Sequence, residues 1–233
     1  MDSEAMDRAV PFGDRRSRTL YRLAAAISET RRPDEVLLVG VDGVDGAGKT
    51  VFADELAEVL ERRGIGVLRA SVDGFHHPSS IRYRRGRRSP EGFFLDSYDY
   101  DAVRRLLLEP LAEPGERQVV RRIYDVHAEE PIEAVWESTS DVEVLVFDGI
   151  FLHRPELRDL WDLSIFLEVD FNVSIPRGAG RGDGDPDPTA ASNRRYVEGQ
   201  KLYLATCRPQ ERATWVIDNN VLADAYLTDE PQN

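Results

Sequence analysis

Residues Val36-Leu37-Leu38-Val39-Gly40-Val41 form a continuous apolar run that leads, after Asp42, into Gly43-Val44-Asp45-Gly46-Ala47-Gly48-Lys49-Thr50, the spacing G-x-x-x-x-G-K-T. Phe52, Leu56, Val59 and Leu60 then recur on one helical face. An unbroken apolar strand is buried on both sides, so this strand, loop and helix predict a parallel sheet with helices on both faces. The loop needs glycines because its backbone turns through positive φ and brings several N–H groups to one anion, where a side chain would block the approach. Gly43, Asp45, Gly46, Ala47, Gly48, Lys49, Thr50 and Val51 are the expected nucleotide-binding set. Within it, Lys49 supplies a point charge for the β and γ phosphates, and Thr50 supplies a hydroxyl for Mg²⁺ at the positive end of the helix.

The remaining strands follow the same logic. Val67 to Val72 delivers Asp73 at a carboxyl end, Val144 to Phe147 delivers Asp148, Leu163 to Val169 is a fourth strand, and Thr214 to Ile217 is the last. The expected fold is α/β, a parallel sheet with helices on both faces and a small lid. Thr19 to Thr30 predicts a leading helix, Asp101 to Leu108 and Ser192 to Ala205 predict two more, and Val119 to Tyr124 predicts a hairpin. Pro78 to Ser97 is polar and reads as loop, as does the Gly-, Asp- and Pro-rich stretch Gly178 to Pro188. The chain therefore divides into a leading helical segment over 1–35, a P-loop domain over 36–220 and a tail over 221–233. An acceptor-binding insertion is expected at about 74–135 and the lid at about 171–195.

A formal net charge of −13 over 233 residues argues against wrapping a nucleic-acid polymer. No apolar run approaches the roughly 18 residues of a membrane span, and Met1 to Pro11 lacks a charged-then-apolar signal pattern. The single cysteine, Cys207, excludes an intrachain disulfide and fits a reducing cytoplasm. It is expected to be inert and semi-buried. A small hydroxyl-bearing molecule is the expected partner, and self-association is compatible with the sequence.

Several side chains point to phosphoryl transfer. Asp73, in Val72-Asp73-Gly74-Phe75-His76, is placed to take or orient the proton of an acceptor hydroxyl, and Asp148 is placed to hold Mg²⁺ with Thr50. Arg177 and Arg181 lie four apart, which on a helix aims both at a transferred phosphoryl when a lid closes; Arg194 and Arg195 open the next helix nearby. Arg82 to Arg88 holds five arginines in seven residues, either a solvated loop balancing local acids or a reader of an anionic acceptor. Phe75, Tyr124 and His127 are candidates for stacking on, or bonding to, a planar base. His76 and His77 lack the spacing of a zinc site.

These motifs resemble the uridine kinase and phosphoribulokinase branch of P-loop kinases, which includes type I pantothenate kinase. The resemblance runs from about Val36 to Asn220. It rests on Gly43 to Thr50, Asp73-Gly74-Phe75-His76, Asp96-Ser97-Tyr98-Asp99, Phe147-Asp148-Gly149-Ile150-Phe151 and the lid arginines. It implies a P-loop NTPase-type five-stranded parallel sheet with a lid, ATP and Mg²⁺, Asp73 as the catalytic aspartate, Asp96 or Asp99 on ribose hydroxyls, and Tyr124 with His127 beside a pyrimidine. Uridine kinases usually carry Glu at the place of Asp148 and space the Tyr and His further apart, and Arg181-Gly182-Asp183 interrupts the usual Arg-Asp neighbours. The implied activity is a kinase for the 5′-hydroxyl of uridine or cytidine. Pantothenate, a phosphopentose or another sugar is the alternative acceptor, and a nucleotide-responsive switch is the alternative class, although no Asn-Lys-x-Asp guanine-reading motif is present.

Overall fold

The computed structural model describes residues 14–112, 117–182 and 184–228; Met1 to Pro11 and Asp183 therefore lie outside the described residues. Asp14 caps α1 (Arg15–Thr30) by accepting the Ser17 amide at 2.8 Å, and Leu20, Leu23, Ala24 and Ile27 form its buried stripe. β1 (Leu37–Gly43) and α2 (Lys49–Arg62) flank the glycine loop, and β2 (Val67–Ser71) runs into a 3-10 turn over Val72–Phe75.

The segment from 78 to 97 is not simply loop. It contains α3 (Ser79–Arg82) and α4 (Pro90–Asp96), the latter started by Ser89, whose hydroxyl accepts the Gly92 amide at 3.0 Å ahead of a proline in the first turn. The next helix begins at α5 (Tyr100–Val103), widens into a π turn over Arg104–Leu108 and closes as α6 (Glu109–Ala112). The expected hairpin between Val119 and Tyr124 does not form. β3 (Gln118–Val119) pairs with β6 (Glu137–Ser138), and β4 (Tyr124–Asp125) pairs with β5 (Glu130–Pro131) inside that frame, so each strand finds a later partner.

β7 (Val144–Gly149), β8 (Leu163–Glu168), α7 (Phe171–Ala179), α8 (Arg194–Cys207), α9 (Pro209–Arg212), β9 (Trp215–Asp218) and β10 (Tyr226–Leu227) complete the described chain. The sheet order is β10-β9-β8-β1-β7-β2. Five strands are parallel, as expected, and β10 adds an antiparallel edge from the stretch expected to be tail. Along β1, Leu38 joins a core with Phe147, Phe75 and Phe151, while Leu37, Val39 and Val41 join one with α1 and α2. This alternation covers both faces of the sheet. Parallel registry aligns Asp42 with Gly149 and Ser71 with Asp148, so the carboxyl ends of β1, β7 and β2 open at one rim. Among the described residues no helix is long and apolar enough to cross a membrane.

Candidate active site

At that rim lies a cavity of about 670 Å³ whose wall brings together Lys49, Thr50, Asp148, Asp73 and Arg181. Gly46 has φ +73° and Gly48 φ +88°, the left-handed region that glycine enters without strain. The loop is held from below. The Ala47 amide donates to the Val44 carbonyl at 3.1 Å, Asn219 Nδ2 donates to the Ala47 carbonyl at 2.7 Å, and Gln200 Oε1 accepts the Asp45 amide. Beneath it, the buried Asp42 carboxylate accepts from Gly43 N at 2.7 Å, meets His153 Nδ1 at 2.7 Å and receives the Tyr203 hydroxyl. Helix α8 is thus tied to the loop through Gln200 and Tyr203.

Thr50 Oγ1 donates to Asp148 Oδ2 at 2.8 Å, and Arg69 Nη2 donates to Asp148 Oδ1 at 2.8 Å. Lys49 Nζ donates to the Val44 carbonyl at 2.9 Å. These atoms fit a nucleoside triphosphate with Mg²⁺. A hydroxyl and a carboxylate adjoin one another, a donor set suited to Mg²⁺, which takes few protein oxygens and completes its shell with phosphate and water. The Ser174 hydroxyl on α7 is fully buried, lines the cavity and has no hydrogen-bond partner, an orphan that a phosphate oxygen would satisfy.

Asp73 lines the same cavity, exposed, with Tyr98 donating to its Oδ1 at 3.1 Å. His76 Nδ1 donates to the Asp73 carbonyl at 2.9 Å, and burial lowers the pKa of the imidazole below the usual histidine value. Phe93 and Tyr196, edge to face with ring centroids 4.9 Å apart, close the wall. Sequence reasoning missed Tyr98, Phe93, Tyr196, Ser174 and Arg69. Tyr98 lies inside the quoted Asp96-Ser97-Tyr98-Asp99 stretch, where the acids drew attention instead; Arg69 and Ser174 carry no local signal.

The other candidates go elsewhere. Phe75 is fully buried in the core. Asp96 is buried under Arg84 and Arg85, with Arg85 Nε at 2.9 Å. Asp99 caps α5 through the Ala102 amide at 2.8 Å. Tyr124 donates to Glu129 at 3.0 Å, and His127 is exposed on the β4–β5 turn; neither reaches the cavity wall. Arg177 bonds the Asn219 carbonyl at 2.9 Å and the Asn220 carbonyl. Because α7 ends at Ala179, Arg181 leaves the helical register, and of the two only Arg181 meets the cavity. In the arginine-rich loop, Arg82 pairs with Glu129 and Arg87 stacks on Tyr83 at 4.6 Å. Arg195 donates to the Arg82 and Arg87 carbonyls.

The chain is similar to known proteins in sequence and in fold. The chain is 28% identical over 179 residues to a uridine kinase of Leuconostoc citreum, covering 74% of this chain and 78% of that one. It is 27% identical over 161 residues to a pantothenate kinase of Clavibacter michiganensis, covering 65% of this chain and 50% of that longer one. The solved structure of a "possible uridine kinase" from Bacillus stearothermophilus superposes with TM-score 0.66 at 22% identity, covering 84% of this chain and 96% of that one. The model of one family matches residues 38–182, more than half of the chain, from the second residue of β1 to just past the end of α7. The chain belongs to the phosphoribulokinase / uridine kinase family of P-loop small-molecule kinases.

Proposed function

We propose that this chain is an ATP-dependent kinase that phosphorylates the primary hydroxyl of a small uncharged acceptor, with the 5′-hydroxyl of uridine or cytidine as the leading candidate. One observation carries the reading: Asp73 faces the same cavity as Lys49, Thr50 and Asp148, so a base and a phosphate site share one space. Lys49 and the loop amides would hold the phosphates, Thr50 and Asp148 would hold Mg²⁺, and bound Mg·ATP supplies the phosphoryl group and most of the charge neutralisation. Asp73 takes the acceptor's proton as its oxygen bonds to the γ phosphorus and the bond to the β-phosphate oxygen breaks, releasing ADP. Arg181, on the segment of about 171–195 read as a lid, steadies the transferred group.

Charge supports an uncharged acceptor. The cavity wall carries Asp45, Asp73 and Asp148 against Lys49 and Arg181, which sit on the phosphate and lid sides. In the arginine-rich loop, Arg82, Arg84 and Arg85 are paired with Glu129 and Asp96. Phe93, Tyr98 and Tyr196 offer ring surfaces for a planar base in place of Tyr124 and His127. Pantothenate or a sugar is the second reading, favoured by the similarity to the Clavibacter pantothenate kinase.

The test is ADP release from Mg·ATP against uridine, cytidine, pantothenate, ribulose 5-phosphate and simple sugars. Stimulation by uridine or cytidine, lost in Asp73→Asn, is expected. Stimulation only by an anion, ribulose 5-phosphate or pantothenate, would overturn the uncharged acceptor, and equal rates in Asp73→Asn would remove Asp73 as the base.

A further inference from the structure

Tyr98 is 5% exposed, yet it lines the cavity and its hydroxyl donates to Asp73 Oδ1 at 3.1 Å. The backbone fixes both partners. The Asp99 amide donates to the Phe75 carbonyl at 2.8 Å and the His77 amide to the Ser97 carbonyl at 2.9 Å, so the stretch bearing Tyr98 is laced antiparallel to the turn bearing Asp73. The His76 ring lies 4.5 Å from the Tyr98 ring between centroids and is itself tied to the Asp73 carbonyl. Asp73 stands at the cavity edge, and the last torsion of an aspartate is soft. A phenol held this firmly converts that soft torsion into one orientation.

We propose that Tyr98 is a positioning residue for phosphoryl transfer: it engages one oxygen of Asp73 and leaves the other turned to the acceptor hydroxyl. The proposal rests on the kinase reading above. Tyr98 forms no covalent bond and keeps its own proton while Asp73 receives the acceptor's. Burial first, then the negative charge of Asp73, hold the Tyr98 phenol well above the ordinary tyrosine range, and Asp45 and Tyr100 act in the same direction. A donor fixed beside a carboxylate costs no reorganisation when the reaction occurs, which makes small displacements of the base expensive.

The alternative is that Tyr98 only fills space, and two double-mutant cycles with Tyr98→Phe and Asp73→Ala separate the cases. In urea unfolding, the midpoint shifts of the single variants should exceed, when summed, the shift of the double variant. In steady-state assays, Tyr98→Phe should lower kcat roughly tenfold with KM for ATP unchanged, and should cause no further loss in the Asp73→Ala background. Additive midpoints, full kcat in Tyr98→Phe, or an equal fold-loss in both backgrounds would overturn the proposal. If the unaltered protein released ADP with no acceptor, the kinase reading would fall instead, and the unfolding cycle would still decide whether the two side chains interact.

Discussion

Gly46 meets two demands at once. Its φ of +73° suits glycine, and an added Cβ would stand 2.0 Å from the Ser174 carbonyl oxygen, a backbone atom that cannot swing aside. Positive φ alone costs an ordinary residue roughly 1–3 kcal/mol, and the collision adds to it. Gly46→Ala should therefore push α7 off the loop and weaken Mg·ATP binding by about a hundredfold or more, measured by calorimetry. Unchanged affinity would mean that the loop and α7 move apart before nucleotide enters.

At the scale of elements, the arginine-rich loop illustrates how a strong sequence signal can be spent internally. Asp96 closes α4, its carboxylate fully buried, and draws in Arg84 and Arg85 from the loop ahead of it. Asp96→Asn removes the charge that holds this loop, so a melting temperature lower by a few degrees is expected, since each kcal/mol lost moves a chain of this size by about 2–4 °C. KM for ATP should stay the same. A large rise in acceptor KM with an unchanged melting temperature would return Asp96 to the acceptor site. The five parallel strands and the phosphate loop were legible because their signals are local: apolar runs, glycine spacing, a carboxylate at a strand end. Where Asp96, Tyr124 and Arg177 point depends on partners 11 or more residues away for Asp96 and 42 or more for Arg177, and on a turn geometry at Glu129 for Tyr124. The short pairings β3–β6 and β4–β5 were missed because a two-residue strand carries no period to read.

For the whole molecule, charge and stability meet at the nucleotide. A chain of net charge −13 repels a polyanion, and the cavity wall itself carries three carboxylates, Asp45, Asp73 and Asp148. Binding then depends on local attraction overcoming the wider field: loop amides, Lys49, and a divalent cation between Asp148 and the phosphates. The loop also joins the two cores, because Asn219 from the end of β9 and Gln200 and Tyr203 from α8 hold it and the strand beneath it. Nucleotide that grips the loop should thus stabilise the fold as a unit. Ligand at a hundred times its Kd adds about 2.7 kcal/mol, which corresponds to a melting rise of about 5–10 °C. Mg·ATP should produce that rise in the unaltered protein, EDTA should remove most of it, and Lys49→Ala should show little. An equal rise in Lys49→Ala would place the nucleotide outside the phosphate loop, and a rise insensitive to EDTA would remove Asp148 and Thr50 from the role of metal ligands.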